Sequence, residues 1–171
     1  FFDGLQGNEF NQQAAFKTNT GELIFGGPNG FNIFNPNEIE TKNLPSNVVF
    51  TDLQILNQSL SINREYTGRI ILTKTITYCE EIVLKYNENV ITLEFSNINF
   101  IHPERVKYTY KLENFNNTWF EVESNNRRVT YTNLNPGKYI FKVKSTNNDG
   151  TWSENVTTLN ITILPPWWAT L

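Results

Sequence analysis

The stretch LNPGKYIFKVKSTNNDGTWS, residues 134–153, predicts one strand between two turns. Pro136 fixes its own φ and Gly137 tolerates positive φ, so the chain should reverse just before Tyr139. Apolar side chains then alternate with lysines, which is the pattern of a half-buried antiparallel strand. One face carries Tyr139, Phe141 and Val143, and the other carries Lys138, Ile140, Lys142 and Lys144.

The two ends of this strand add further constraints. Asn148, Asp149 and Gly150 tolerate left-handed backbone angles, so the chain should turn there and return along residues 156–163. Tyr139 follows a Leu-x-Pro-Gly turn, and its hydroxyl should bond to the backbone a few residues upstream, as in the tyrosine corner of immunoglobulin-like sandwiches. Seven or eight strands over residues 46–164 agree with such a two-sheet sandwich.

The composition favours β structure and excludes some classes of partner. Aromatic residues make up 14% of the chain, charged residues only 18%, and methionine is absent, which is typical of strands and turns rather than long helices. The 14 basic and 17 acidic residues give a net charge of −3, so no nucleic acid partner is expected. The single cysteine, Cys79, excludes an internal disulfide and is expected to be a buried structural thiol.

Residues 1–45 differ in composition from the rest of the chain, since they hold most of its glycines. Short strands are predicted at 14–17, 22–25 and 31–34, separated by glycine-containing turns. Three strands in this span resemble a single propeller blade, which normally stacks on neighbouring blades. We expect an ordered small sheet whose apolar side chains are covered by the sandwich or by a second chain. These side chains are Phe16, Ile24, Phe25, Phe31 and Phe34.

The pattern from residue 48 onward sets the facing and pairing of the sandwich strands. Val49, Thr51, Leu53 and Ile55 alternate in one predicted strand and should therefore share one face. The tight connection at residues 87–89 predicts a hairpin with the strand at 91–95. The predicted core comprises Leu93, Phe95, Tyr108, Tyr110, Tyr131, Tyr139, Phe141 and Val143.

No set of residues predicts catalysis. His102 lies between Ile101 and Pro103, with no cysteine, serine or aspartate at a recognisable motif spacing, and is expected to be a loop histidine. Glu80 and Glu81 are adjacent and therefore point to opposite faces of a strand, which prevents them from acting as an acid–base pair. Neither a cofactor nor a metal is expected.

The four tryptophans leave alternatives open. Trp119 and Trp152 each lie at a strand end beside a turn, where core packing is expected, although flat aromatic faces also suit stacking on sugar rings. Trp167 and Trp168 follow two prolines within residues 165–171. Because tryptophan favours the membrane–water interface, this segment is either the approach to a membrane helix or a disordered tail.

Aromatic residues and turns follow one another in a recognisable order. They are Tyr108, Tyr110, Leu112, Trp119, Tyr131, Asn133, Leu134, Pro136, Gly137, Tyr139, Phe141, Val143, the Asn148-Asp149-Gly150 turn and Trp152. This order resembles the Y_Y_Y domain, an immunoglobulin-like module next to the membrane in large bacterial sensor kinases, notably hybrid two-component regulators. In that family two periplasmic β-propellers precede the module and a transmembrane helix follows it. Residues 21–36 and the Pro165-Pro166-Trp167-Trp168 run resemble those two flanks.

The resemblance implies a division into domains and a function. It implies the last repeat of a propeller with a linker over residues 1–45, an immunoglobulin/fibronectin III-like β-sandwich over 46–164 and a juxtamembrane segment over 165–171. It further implies a non-catalytic homodimer in the periplasmic part of an inner-membrane sensor. Such a module relays binding of an oligosaccharide by the propellers to a cytoplasmic histidine kinase.

The alternative is a carbohydrate-binding or adhesive fibronectin III-like module, because a lone Leu-x-Pro-Gly-x-Tyr sequence also fits that class. The positions of Trp119 and Trp152 distinguish the two functions. Rings buried in the core favour the relay, whereas exposed rings that respond to an oligosaccharide favour a binding platform.

Overall fold

Strands form almost all of the regular structure in residues 5, 7–39, 45–98 and 103–169, which are those the computed structural model describes. The all-β fold class is confirmed. Backbone contacts divide the chain into two units, Phe1–Lys42 and Asn43–Leu171. The first unit contains β1 (Ala15–Lys17), β2 (Leu23–Gly27) and β3 (Gly30–Phe34). The second contains β4 (Val48–Ile55), β5 (Gln58–Ser59), β6 (Glu65–Tyr66), β7 (Arg69–Ile70), β8 (Glu81–Leu84), β9 (Ile91–Asn97), β10 (Tyr108–Glu113), β11 (Phe120–Val122), β12 (Arg128–Tyr131), β13 (Gly137–Ser145) and β14 (Thr157–Ile163). Single 3-10 turns occupy Pro36–Glu38, Ile76–Tyr78, Pro103–Arg105 and Trp167–Ala169.

The first unit is an antiparallel meander in the order β1-β2-β3. The β2–β3 hairpin turns at Gly30, whose φ of +127° would strain any side chain. The predicted ordered sheet is confirmed, and Phe16 and Phe31 are 67% and 66% exposed in the single chain. Their covering by a second chain stays a prediction. The pairing register places these two on one face, while Phe25 stacks on Phe34 on the other. A single-layer sheet cannot cover both of its faces with its own side chains.

The second unit packs a five-stranded sheet, β11-β10-β13-β14-β8, against a four-stranded sheet, β12-β9-β4-β5. The β14–β8 pair is parallel, and the other pairs in the two sheets are antiparallel. The predicted sandwich is confirmed, although its described residues form nine strands rather than seven or eight. One strand that the sequence pattern did not predict is β5, an edge strand of two residues that is too short to leave a clear alternation.

The core lies between the two sheets, around Phe141. The side chain of Phe141 is fully buried, and the rings of Phe50, Phe95, Tyr110 and Tyr131 have centroids 5.9–6.2 Å from its own. The facing predicted for β13 is confirmed, since its aromatic residues are buried and its lysines lie outside. Of the eight predicted core residues, Tyr110 alone is only partly buried, because it packs near the sheet edge against Phe120.

The facing predicted for the first half of β4 is wrong. Val48 and Phe50 are buried together with Leu53 and Ile55, while Thr51 is exposed. The pairing with β9 shifts between Phe50 and Asp52, so Thr51 is the extra residue of a β-bulge. One inserted residue reverses the alternation, which moves Val49 off the core face.

The hairpin predicted at residues 87–89 is also wrong. β8 pairs in parallel with β14, whereas β9 lies in the opposite sheet, so the short connection passes from one sheet to the other. This connection contains Glu88. The buried carboxylate of Glu88 accepts hydrogen bonds from the Lys85 backbone N–H, at 2.7 Å, and from the Arg69 guanidinium. Charge-assisted hydrogen bonds to Glu88 stabilise this connection between the sheets. The alternation of apolar and polar residues does not reveal it.

The turn before β13 differs in detail from its prediction. The residue with positive φ is Asn133, at +57°, and not Gly137. Asparagine tolerates this conformation better than most residues. A Cβ at Gly137 would meet only ordinary contacts of 3.8 Å with the Tyr139 ring, so the reversal does not depend on glycine there.

Candidate functional site

The chain enters and leaves the sandwich at opposite ends. Thr157, at the start of β14, donates a hydrogen bond of 2.5 Å to the carbonyl of Val48, at the start of β4, so both strands begin at one end, here called the entry pole. β14 ends at Ile163, which pairs with Gly137 and Leu84 at the exit pole. The seven residues of β14 carry the chain about 20 Å from one pole to the other.

The entry pole is held by a buried set of polar groups around Ser46, here called the entry clamp. The Ser46 hydroxyl lies 2.5 Å from that of Ser145 and accepts a 2.6 Å hydrogen bond from the Asn97 amide. The Ser46 N–H donates to Asn147 Oδ1 at 3.1 Å, and its carbonyl accepts from the Ser153 hydroxyl at 3.0 Å. The residue just before β4 is therefore tied to two strand ends and to the loop between β13 and β14.

Sequence reasoning missed the entry clamp, although one signal was present. Ser145 continues the buried alternation of β13 and is itself fully buried, so a polar partner for its hydroxyl was required. The partner itself is not visible in the sequence, because Ser46 lies 99 positions away.

The exit pole ends in exposed aromatic rings. Leu164 still donates its N–H to the Leu84 carbonyl at 2.8 Å, so the backbone is fixed to the sheet up to the first proline. Beyond it, Trp167 is exposed, and Trp168 packs edge-on against Tyr86 with centroids 5.3 Å apart. None of the helical segments within the described residues is long and apolar enough to cross a membrane.

The predicted tyrosine corner is confirmed. The Tyr139 hydroxyl donates a hydrogen bond of 2.9 Å to the carbonyl of Asn135, four residues upstream. The bond closes the turn that leads into β13, so the central strand of the five-stranded sheet starts at a fixed point at the exit pole.

The residues predicted as a structural motif do not converge on one point. Tyr108, Tyr131, Leu134, Tyr139 and Phe141 are buried in the core, and Tyr110 is partly buried. Pro136 lies in the turn before β13, Gly137 is the first residue of β13, and Trp119 and Trp152 lie outside. Their shared role in this structure is to build the sandwich. Tyr108 adds a second anchor at the entry pole, because its hydroxyl accepts the Asn97 N–H at 3.0 Å.

The expected core packing of Trp119 and Trp152 is wrong. They are 38% and 36% exposed on the outer face of the five-stranded sheet. Lys144 Nζ lies 5.7 Å from the Trp119 ring centroid and 5.9 Å from that of Trp152, and Lys111 Nζ lies 5.0 Å from Trp119. The attraction of an ammonium group for an aromatic face explains why the rings stay outside, over the lysine face of β10 and β13. We call this set the Trp–Lys face.

The charges beside the Trp–Lys face are partly balanced. The Glu113 carboxylate lies 2.7 Å from Lys111 Nζ and 2.8 Å from Lys142 Nζ. Hydrogen bonds from Lys111 and then Lys142 lower the pKa of Glu113 below its ordinary value. Lys144 forms no ion pair with a carboxylate of any residue in the described ranges.

The remaining chemical candidates form no reactive set in the described part of the chain. His102 falls outside the described residues. Glu80 and Glu81 are both exposed. Cys79 is a partly buried free thiol whose pKa is raised by burial, with a smaller opposing effect from Lys74. No group of three or more metal-ligating side chains occurs among the residues that the structure describes.

Comparisons with known proteins match the geometry. Residues 99–164 match the model of the Y_Y_Y domain. The sandwich is larger than this match, since β4 and β9 precede it and supply most of the four-stranded sheet. The chain is also 36% identical over 171 residues to "Histidine kinase P4" of Formosa agariphila, an alignment that covers 98% of this chain. The chain spans 12% of the length of that relative.

Two solved structures share the fold over 95% of this chain. One is the extracellular domain assigned to a hybrid two-component system from B. thetaiotaomicron, with a TM-score of 0.68 and 29% identity. The other is the extracellular domain assigned to a one-component system from the same organism, with a TM-score of 0.64 and 30% identity. In each case the chain covers 21% of the compared structure.

Proposed function

We propose that this chain, whose residues 99–164 match the Y_Y_Y domain, relays a signal along a two-component sensor without catalysing a reaction. The observation that carries the proposal is the position of the two poles. The chain enters the sandwich at one end and leaves at the other, so a displacement at Ser46 passes through the packed sheets before it reaches Leu164.

The contacts at both poles support the proposal that the sandwich transmits a displacement as one body. The entry clamp fixes the residue before β4 with four hydrogen-bond contacts. At the exit pole the Leu164 N–H and the tyrosine corner fix the end of β14 and the start of β13. Because packed interiors are dense and resist compression, a push or twist applied at one pole is transmitted and not absorbed.

The proposal also includes the location of the chain, its oligomeric state and the source of its signal. The chain would lie on the periplasmic side of an inner-membrane histidine kinase, act as a homodimer and receive its signal from propellers that bind an oligosaccharide. The similarity to extracellular domains of sensors supports the location. The exposed Trp167 and Trp168 agree with a segment near a membrane surface.

An insertion at the exit pole tests the relay. Gly-Ser-Gly is placed between Leu164 and Pro165 of the complete sensor, and autophosphorylation is measured in membrane vesicles. The stimulus is the oligosaccharide mixture, from a panel of polysaccharide digests, that most activates the unmodified sensor. We expect the insertion to abolish stimulation while oligosaccharide binding is unchanged, because flexible residues uncouple the sandwich from the segment beyond Leu164.

The matched control places the same insertion between Asn125 and Asn126, in an exposed turn that joins the edge strands β11 and β12. This variant should respond like the parent. Full stimulation of the exit-pole variant would contradict the relay. If no mixture activates the unmodified sensor, the oligosaccharide part of the proposal is wrong, and basal autophosphorylation of the two variants then decides the relay.

The Trp–Lys face supports a second function, in which the sandwich itself binds a glycan. The supporting observation is that Trp119 and Trp152 are exposed on both sides of Lys144, a lysine without a described carboxylate partner. Titration of the isolated chain with the same digests, followed by tryptophan fluorescence, tests this function. Quenching that disappears in Trp119→Ala supports it, and an unchanged emission spectrum at saturating digest contradicts it.

A further inference from the structure

A cleft opens between the free edges of the two sheets, where β11 and β12 lie. Its volume is about 300 Å³, which is comparable to roughly ten water molecules and lies at the lower end of small-molecule sites. The principal lining side chains are Tyr110, Phe115, Asn116, Phe120, Val129 and Tyr131.

Two polar atoms in this lining have no protein partner among the described residues. The Tyr131 hydroxyl and Asn116 Oδ1 are buried and make no hydrogen bond to any of them, although Tyr131 as a whole is only 6% exposed. Buried polar groups are nearly always hydrogen-bonded, because leaving one unpaired costs free energy. Both residues line one cleft, so a single occupant can serve both atoms once the side chains around them move.

The lining restricts the chemistry of that occupant. None of the described residues that line the cleft is charged, so an ionic ligand has no counter-charge there. Asn116 Oδ1 only accepts hydrogen bonds, so the ligand must supply a hydroxyl or N–H donor, while the Tyr131 hydroxyl can donate or accept. The rings of Tyr110 and Phe120, with centroids 6.0 Å apart, offer apolar surface to the rest of the ligand.

Phe115 lines the cleft and packs beside Tyr131. Its ring packs edge-on against Tyr131 with centroids 5.6 Å apart, and half of its surface is exposed. It lies in the loop after β10, where Asn114 adopts a positive φ of +67°. A half-exposed side chain changes rotamer within nanoseconds, so the ring can swing aside when a ligand enters.

We propose that this cleft binds a neutral, hydroxylated ring of about monosaccharide size. Adjacent hydroxyl groups of the ligand bond to the Tyr131 hydroxyl and Asn116 Oδ1, and the C–H face of the ligand packs on the aromatic wall. The site is distinct from the Trp–Lys face and does not depend on the relay.

Ligand-observed NMR on the isolated 171-residue chain tests the proposal. The probes are glucose, galactose, mannose and N-acetylglucosamine at millimolar concentration, with p-cresol and glucuronate as an aromatic and a charged comparison. We expect at least one neutral sugar to bind and the two comparison compounds to bind more weakly. Tyr131→Phe should weaken sugar binding roughly three- to tenfold, since it removes one hydrogen bond and keeps the ring. Tyr78→Phe, at an exposed ring elsewhere, is the control and should change nothing.

The melting temperature of the ligand-free variant gives a second, independent readout. If the Tyr131 hydroxyl is unpaired in the free protein, Tyr131→Phe keeps the melting temperature or raises it by about 2–6 °C. A lower melting temperature would show that the hydroxyl is already bonded and would overturn the proposal. Binding of p-cresol or glucuronate in preference to the sugars, or no binding by any probe, would overturn it as well.

Discussion

The two units of the chain show what separates a pattern that forms strands from one that forms a core. Both alternate apolar and polar residues, and both form antiparallel hairpins at glycine or asparagine turns. In the first unit no described strand residue is fully buried, and Phe16 and Phe31 lie on an exposed face. In the sandwich, two sheets face one another and every strand longer than three residues contributes buried side chains.

The two units should differ in how much they contribute to the stability of the chain. A sheet gains burial only when a second layer covers it, and three strands alone supply one layer. The sandwich should therefore account for most of the stability of the chain, and in the proposed relay its packed interior joins the two poles. Substitutions in matched pairs, one in each unit, test whether the sandwich is the more stable of the two units.

The largest effect is expected at Phe141. Phe141→Ala removes a fully buried ring that packs among other aromatic rings, so the free energy of unfolding should fall by about 3–5 kcal/mol. Its partner in the first unit is Phe16→Ala, at a ring that is two-thirds exposed, with an expected change within about 0.5 kcal/mol. Urea denaturation measures both, and equal losses would remove the distinction between the units.

The next effect is expected at the entry clamp. Ser46→Ala leaves the Asn97 amide and the Ser145 hydroxyl without their buried partner, which should cost about 1–3 kcal/mol. Thr20→Ala is the counterpart in the first unit, because that hydroxyl is exposed and bonds to neighbours in its own turn. Thermal unfolding monitored by near-UV circular dichroism compares the two. A Ser46→Ala variant as stable as the parent would mean that the clamp does not fix the entry pole.

A smaller effect is expected at the tyrosine corner. Tyr139→Phe keeps the ring and removes the hydrogen bond to the Asn135 carbonyl, for a loss of about 0.5–1.5 kcal/mol. Tyr78→Phe, at an exposed ring, should leave the midpoint of urea denaturation unchanged. A larger loss at Tyr78 than at Tyr139 would argue against the corner as a determinant of the β13 turn.

The smallest effect is expected at Glu113 and depends on pH. Hydrogen bonds from Lys111 and Lys142 lower the pKa of Glu113 in the folded state, so its stabilising contribution is present above the unfolded pKa and is lost as the pH falls through the lower folded pKa. Glu113→Gln should therefore be slightly less stable than the parent at pH 7, and the difference should shrink as the pH falls below about 4.3. Melting temperatures between about pH 7 and pH 2.5 measure this change. A difference that stays constant or grows in acid would contradict the assignment.

The sequence pattern was sufficient to predict those features that are determined by residues close together in the chain. The alternation of Tyr139, Phe141 and Val143 set the facing of β13, and the turn before it predicted the Tyr139 hydrogen bond. The β2–β3 hairpin followed from the glycines on either side of its turn. In each case the residues that determine the structure are within a few positions of one another.

Features set by distant partners or by a single backbone irregularity were not predictable in the same way. The bulge at Thr51 reverses the facing of β4 without changing its composition. The connection from β8 to β9, which lie in different sheets, carries Glu88, whose partner Arg69 is 19 positions away. Trp119 and Trp152 looked like core residues because the sequence does not show which lysines lie beside them. The cleft beside Tyr131 likewise exists only once two sheet edges are brought together.

Amide hydrogen exchange of the intact chain tests the central claim most directly. If the sandwich is one body that joins the two poles, amides in β4, β9, β13 and β14 should open with a single shared free energy, which falls together in Phe141→Ala. Amides in β1–β3 should open at a lower free energy that this substitution leaves unchanged. Exchange of β1–β3 in step with β13, or independent opening of β14 at one pole, would contradict the account.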